Sequence, residues 1–188
     1  MTRKARRAWV VVLFVIAAAA VFYLRQYGGP LFRHPVVAVR LIRTDAPPRL
    51  PVPVRGVAAS RLVDTWGGIR SGGRRHQGID IFAPRGREIV STTRGIVVTV
   101  GYASLGGRVV RVLGPGGYWH YYAHLERFAA IRPGDLVEAG TVLGYVGDSG
   151  NARGTPPHLH YGIYRFRGGA VNPYDFLAPV RPQRRGSP

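Results

Sequence analysis

Pro157-His158-Leu159-His160-Tyr161-Gly162-Ile163-Tyr164 is the stretch from which the fold and the chemistry are both read. In an extended strand successive side chains point to opposite faces, so His158 and His160 share one face and Leu159 takes the other. Tyr161, Ile163, Tyr164 and Phe166 favour a strand, and Gly154, Pro156 and Pro157 mark a turn before it. Leu159 is therefore expected in a core, with two imidazoles lining the opposite face. The competing reading is a surface strand that carries two incidental histidines.

A second group lies far upstream. His76-Gln77-Gly78-Ile79-Asp80 offers an imidazole and a carboxylate four residues apart, and Gly78 lets backbone pass close by. Ile79, Ile81 and Phe82 read as the start of a buried strand. A catalytic zinc site takes three protein ligands from His, Asp and Glu and keeps a further position for water. His76, Asp80 and one histidine of the His158/His160 pair make such a set. His124, in Tyr121-Tyr122-Ala123-His124-Leu125, is a further candidate. His120 lies at the same strand parity as Tyr122 and His124 and is expected outside the metal shell. His34 stands alone and reads as a solvated side chain.

These three groups, in this order, resemble the signatures of lysostaphin/LytM-type zinc metallopeptidases (peptidase family 23). The resemblance runs from about Val57 to Leu177 and no signature position departs from it. It implies that His76, Asp80 and His160 bind Zn2+, and that His124 and His158 act on the attacking water or the developing oxyanion. Glutamate-based zincins need His-Glu-x-x-His on a helix, which this sequence lacks. The resemblance also implies a substrate, the stem peptides or cross-links of peptidoglycan. The alternative it allows is a catalytically inert wall-binding module that activates other hydrolases; such relatives usually lack one or more ligands, and here all five positions stand.

Around this centre the pattern is β-rich. Ile79 to Ala83, Glu88 to Thr92, Gly95 to Tyr102, Arg108 to Leu113 and Trp119 to His124 read as short strands, and Gly114-Pro115-Gly116-Gly117 as a hairpin turn. The expected fold is mostly β, a compact antiparallel sheet or barrel-sandwich catalytic domain over residues 56–180. Ala58 to Asp64 reads as a short helical turn. Gly72, Gly73, Arg74 and Arg75 form a basic loop before His76, and Gly147 to Gly154 a loop before the His-x-His strand. Arg74, Asn151 and Arg153 are the candidate substrate contacts on these loops.

The N-terminal part reads differently. Residues 1–7 carry Arg3, Lys4, Arg6 and Arg7, a basic cytoplasmic end. Ala8 to Leu24 is an uncharged apolar run flanked by Trp9 and Tyr23, expected to be one transmembrane helix rather than a cleaved signal peptide. Residues 25–55 hold Pro30, Pro35, Pro47, Pro48, Pro51 and Pro53 and read as a tether, with Val36 to Ile42 as a short strand or extended packing segment. Residues 181–188 read as a disordered basic tail. The implied location is the inner (cytoplasmic) membrane, single-pass, with the catalytic domain on the periplasmic or extracytoplasmic side.

Composition sets the outer bounds. The 188 residues suffice for one modest domain plus appendages. The absence of cysteine excludes disulfides and thiolate ligands and leaves only nitrogen and oxygen for a metal. The net charge of +18 comes almost wholly from arginine, Lys4 being the one lysine. Such a field attracts polyanions, anionic lipid and cell-wall polymers included. No nucleic-acid-binding module accompanies it, and no nucleic acid is expected as a partner.

Overall fold

The structure is a computed structural model and describes residues 3–27, 29–165 and 168–177. Among these, nine strands make one antiparallel sheet: β1 (Ile79–Phe82), β2 (Glu88–Val90), β3 (Gly95–Ala103), β4 (Gly107–Leu113), β5 (Tyr118–Phe128), β6 (Leu136–Val137), β7 (Val142–Val146), β8 (His158–Arg165) and β9 (Ala170–Val171). The strand order is β1-β8-β5-β4-β3-β6; β7 bonds to β5 and β2, and β9 to the outer part of β8. The mostly-β antiparallel domain expected from the sequence is what the chain forms.

Two pairings position everything that follows. In β1·β8, Asp80 stands opposite His160 and Ile81 opposite Leu159. In β5·β8, Ala123 stands opposite His160 and Tyr121 opposite Gly162. Alternation then sorts the side chains. Ile79, Ile81, Val110, Val112, Leu159, Tyr161 and Ile163 turn to the core and are at most 2% exposed. Burying an aliphatic chain of this kind stabilises by about 1.5–3 kcal/mol. Asp80, Tyr121, His160 and Tyr164 take the other face. The turn between β4 and β5 is a 3-10 segment at Pro115–Gly117, where Gly116 and Gly117 have φ of 73° and 66° that side-chain-bearing residues disfavour.

His120 belongs to the core. It is 2% exposed. Its Nδ1 lies 2.7 Å from Tyr161 Oη, and Thr92 Oγ1 lies 2.8 Å from the same hydroxyl. This polar cluster satisfies groups that would otherwise be buried without partners.

The N-terminal expectations change. α1 (Arg3–Tyr27) is one continuous helix, but among the described residues no helix is long and apolar enough to cross a membrane. The expected transmembrane span is therefore corrected. α2 (Pro30–Arg33) and α3 (Pro35–Arg43) replace the extended segment expected in the tether. Pro35 sits in the first turn of α3, where its missing N–H is no loss. Ala38 and Leu41, three apart on one helical face, pack on Ile96 of β3. Ala59–Arg61 is a short 3-10 turn, and α4 (Tyr174–Leu177) closes the described chain. The tail at 181–188 lies outside the described residues.

Burial lowers the His120 pKa from 6.5 to about 3. The unfolded chain then takes up a proton below pH 6.5 that the folded chain refuses, so this group withdraws stability as pH falls. By pH 5 its share of the loss is about 2 kcal/mol. Denaturant unfolding at pH 7 and pH 5 should show a smaller drop for His120→Gln than for the parent chain, by about that amount. Parallel drops in the two proteins contradict the assignment.

Candidate functional site

Three side chains from separate places in the sequence converge on one point. His76 comes from the segment before β1, Asp80 from β1 and His160 from β8. His76 Nε2 lies 2.8 Å from His160 Nδ1, and Asp80 Oδ1 lies 3.1 Å from His76 Nε2 and 3.2 Å from His160 Nδ1. Three atoms so spaced share a point about 2.1 Å from each, on the axis above their plane, which is the distance zinc takes to imidazole nitrogen and carboxylate oxygen. A carboxylate and two imidazoles crowded in this way could hold a small divalent cation.

The surroundings set the orientation of each donor. His76 Nδ1 lies 2.7 Å from the Thr65 carbonyl and 2.8 Å from Arg70 Nη2; the tautomer that donates from Nδ1 to Thr65 is the one that leaves the Nε2 lone pair toward the cluster. The Asp80 amide donates to Thr65 Oγ1 at 3.0 Å. Arg70 donates from Nη2 to Asp80 Oδ2 at 2.5 Å, leaving Oδ1 for the cluster. Burial alone would raise the Asp80 carboxyl, but the neighbouring His160 and His76 rings outweigh it and hold the group well below the usual carboxylate range. Burial lowers the His160 pKa, against the opposing pull of Asp80. Both groups are thus in the ionisation state a cation needs at neutral pH.

His124 reaches the site through a break in β5. It is the one non-glycine residue with positive φ among those described, at 64°, and the β4·β5 register shifts beside it. The bulge lets both Ala123 and His124 line the cleft, while Leu125 returns to the core. A side chain in this left-handed conformation costs on the order of 1 kcal/mol, the kind of strain that collects at functional sites. His124 Nδ1–H donates to the Ser149 carbonyl at 2.8 Å. His158 Nδ1–H donates to the Pro156 carbonyl at 2.9 Å. Each ring therefore keeps its Nε2 lone pair. The two rings lie 5.0 Å apart, and His124 lies 5.9 Å from His160. Burial lowers the His124 pKa to about 4, with the Ser149 hydrogen bond opposing, so the ring is neutral at neutral pH.

All five candidates line one cleft of about 880 Å3. Of the three proposed substrate contacts, Arg74 and Asn151 line it and Arg153 does not. Arg153 follows the 3-10 turn Gly150–Ala152, which presents Asn151 to the cleft instead. Arg74 donates to the Ser71 carbonyl, so the guanidinium that reaches the cluster is Arg70. The sequence reading missed Thr65 and Arg70. It also missed an aromatic face of Trp119, Tyr121 and Tyr164, which strand alternation in β5 and β8 would have disclosed.

A family model described as Peptidase family M23 matches residues 74–173. An L-Ala--D-Glu endopeptidase of Bacillus subtilis (strain 168) is 41% identical over 138 residues, covering 68% of this chain and 42% of that protein. The murein hydrolase activator NlpD of Escherichia coli (strain K12) is 31% identical over 125 residues, 66% of this chain and 30% of that protein. The chain thus spans less than half the length of either. The catalytic domain of the antimicrobial peptidase lysostaphin from Staphylococcus simulans superposes with a TM-score of 0.57 at 26% identity, covering 63% of this chain and 94% of that domain.

Gly78 makes the convergence possible. A Cβ there would stand 2.6 Å from His160 Cε1 and 2.6 Å from the Tyr161 carbonyl. Gly78→Ala should displace His160 and weaken zinc binding by at least about tenfold in a chelator competition. Gly169→Ala, with open space around it, should leave the affinity unchanged. Equal affinities for both variants contradict the reading.

Proposed function

Because the chain belongs to peptidase family M23, we propose that it is a zinc-dependent endopeptidase that hydrolyses peptide bonds in peptidoglycan. One observation carries the proposal: His76, Asp80 and His160 aim three donor atoms at a common point, with His124 and His158 beside it. A zinc ion held there would polarise the scissile carbonyl and acidify water.

The chain's own groups do the rest. Asp80 supplies the negative charge of the donor set, and Arg70 fixes which of its oxygens faces inward. His124, kept neutral by burial, accepts the proton of the attacking water at Nε2. Its hydrogen bond to Ser149 fixes the tautomer and steadies the imidazolium that forms. His158, anchored through Pro156, turns Nε2 to the same space and relays the proton released by the water to the leaving amine. Each role of this kind is typically worth about 10²–10⁴-fold. The B. subtilis relative is named for cleaving after L-Ala and before D-Glu, and that bond is the first substrate to test here.

We place the catalytic domain on the extracytoplasmic side of the cytoplasmic membrane, where peptidoglycan lies. The apolar surface of α1 supports a lipid attachment: Trp9, Val10, Leu13, Phe14 and Phe22 are each more than half exposed, and an apolar patch of that extent marks an interaction site. The residues between α1 and the sheet then serve as the tether. Similarity to NlpD favours a second reading, an inert activator of other hydrolases. The presence of all five site residues favours the enzyme.

His124→Ala separates ligand from catalyst. The variant should retain about one zinc per chain and lose about 10²–10⁴-fold in turnover of purified peptidoglycan, measured from new chain ends. Loss of zinc from the variant would show that His124 is a ligand. Removing the metal from the parent chain with a chelator should abolish turnover, and added zinc should restore it; turnover that survives metal removal rules out the zinc mechanism.

A further inference from the structure

The cleft is strongly basic beyond the metal-ligand cluster. Among the described residues its one carboxylate is Asp80, already engaged by Arg70, His76 and His160. Arg111 also lines it, from β4. Arg111 is exposed, forms no ion pair among the described residues, and lies over the Tyr121 ring with its guanidinium carbon 5.3 Å from the centroid. Arg74 and Arg75 differ: they are spent on the carbonyls of Ser71 and Gly67 at the rim.

The sheet register places Arg111 relative to the reacting bond. Thr99, Arg111, Tyr121 and Gly162 form one row across β3, β4, β5 and β8, and directly opposed residues share a face. The row of Ala123, His160 and Asp80 is the next one along the same face, about 7 Å away at two residues per step. Gly162 adds no side chain to its row, and the Tyr164 ring and the Gln77 carbonyl close over it, 2.9 and 3.0 Å from where a Cβ would stand. Tyr121 bridges the two rows, its ring centroid 6.0 Å from that of His160 and its edge set against Tyr164 at 6.3 Å. The hydroxyl of Tyr121 lies against Gly106, where a Cβ would collide with it. Clamped on these sides, the ring is a fixed platform for the guanidinium. The two ring distances put the guanidinium within about 11 Å of the His160 ring, the reach of roughly three extended residues.

We propose that Arg111, held over Tyr121, is a carboxylate-reading subsite that selects peptides carrying an acidic group within three residues of the bond cut. The proposal rests on the endopeptidase reading and deepens it by naming the substrate class. A guanidinium presents paired donors to a carboxylate, and a carboxamide in the same place offers one acceptor and a mismatched donor. A single position in the substrate should therefore prefer Glu to Gln, by about 10- to 100-fold.

The test uses peptides with one Glu or Gln at each of the three positions on either side of a fixed cleavable bond. The parent chain, zinc-loaded, should show the preference in kcat/KM at one position. In Arg111→Gln the Glu-to-Gln ratio at that position should fall to near one, whereas Arg74→Gln should keep it. Equilibrium binding of the same peptides to zinc-loaded His124→Ala reads the ratio without turnover, with Arg111→Gln added in the same background. If no peptide is cut but the binding ratio holds and depends on Arg111, the endopeptidase reading fails and the subsite stands. Equal binding of Glu and Gln peptides at every position, or a ratio that survives Arg111→Gln, overturns the subsite even where cleavage is intact.

Discussion

Asp80 stands opposite His160 in the antiparallel pair of β1 and β8, and the chemistry of this chain depends on that register. A one-residue slip would turn Asp80 into the core and bring Ile79 or Ile81 to the site. What prevents the slip is the burial of those isoleucines together with Leu159 and Tyr161, each at most 2% exposed. The apolar side of two strands thus fixes the polar side. His76 joins from outside the sheet, held by its own backbone bonds to Gly67 and Gly68 and by its ring bond to Thr65. A common device orients His124 and His158: a backbone carbonyl accepts the Nδ1 hydrogen, so that Nε2 keeps its lone pair; the Thr65 carbonyl stands in the same place beside His76 Nδ1.

His124 shows what the regular sheet alone could not supply. By simple alternation it would share a side with His120 and Tyr122, and those two are buried in the core. The bulge at φ 64° moves it to the cleft instead. The same parity thus yields one inert histidine, bonded to Tyr161 and kept neutral by burial, and one histidine beside the ligand cluster. The strain of that conformation is offset by the well-packed strand on either side and by the anchor to Ser149.

Much of this was legible in the sequence, for physical reasons. His158 and His160 on one face of a strand follow from the two-residue period, and the turn glycines at Gly114 to Gly117 follow from the positive φ that two of them adopt. The three-residue donor set followed from its likeness to a family, since spacing alone left the choice between His158 and His160 open. Other features were not readable. Arg70 and Arg74 are both arginines in one basic loop, and only the fold shows which reaches Asp80. Val36 to Ile42 is β-branched enough to suggest a strand, yet Pro35 at a helix start and the contact of Ala38 and Leu41 with Ile96 make it a helix. The run from Ala8 to Leu24 has the composition of a membrane span, yet among the described residues no helix is long and apolar enough to cross a membrane.

The cleft joins the three-donor cluster to an arginine-bearing aromatic floor on the same face of one sheet, so the proposed hydrolysis and the proposed charge reading would share that face. All of it presupposes that the metal sits where the three donors meet. Anomalous diffraction at the zinc edge, from crystals of the zinc-loaded chain, tests this directly. The account predicts a single strong peak about 2.0–2.2 Å from His76 Nε2, Asp80 Oδ1 and His160 Nδ1, with His124 and His158 outside bonding distance. A peak bonded to His124 or His158, or one that leaves Asp80 unligated, contradicts it.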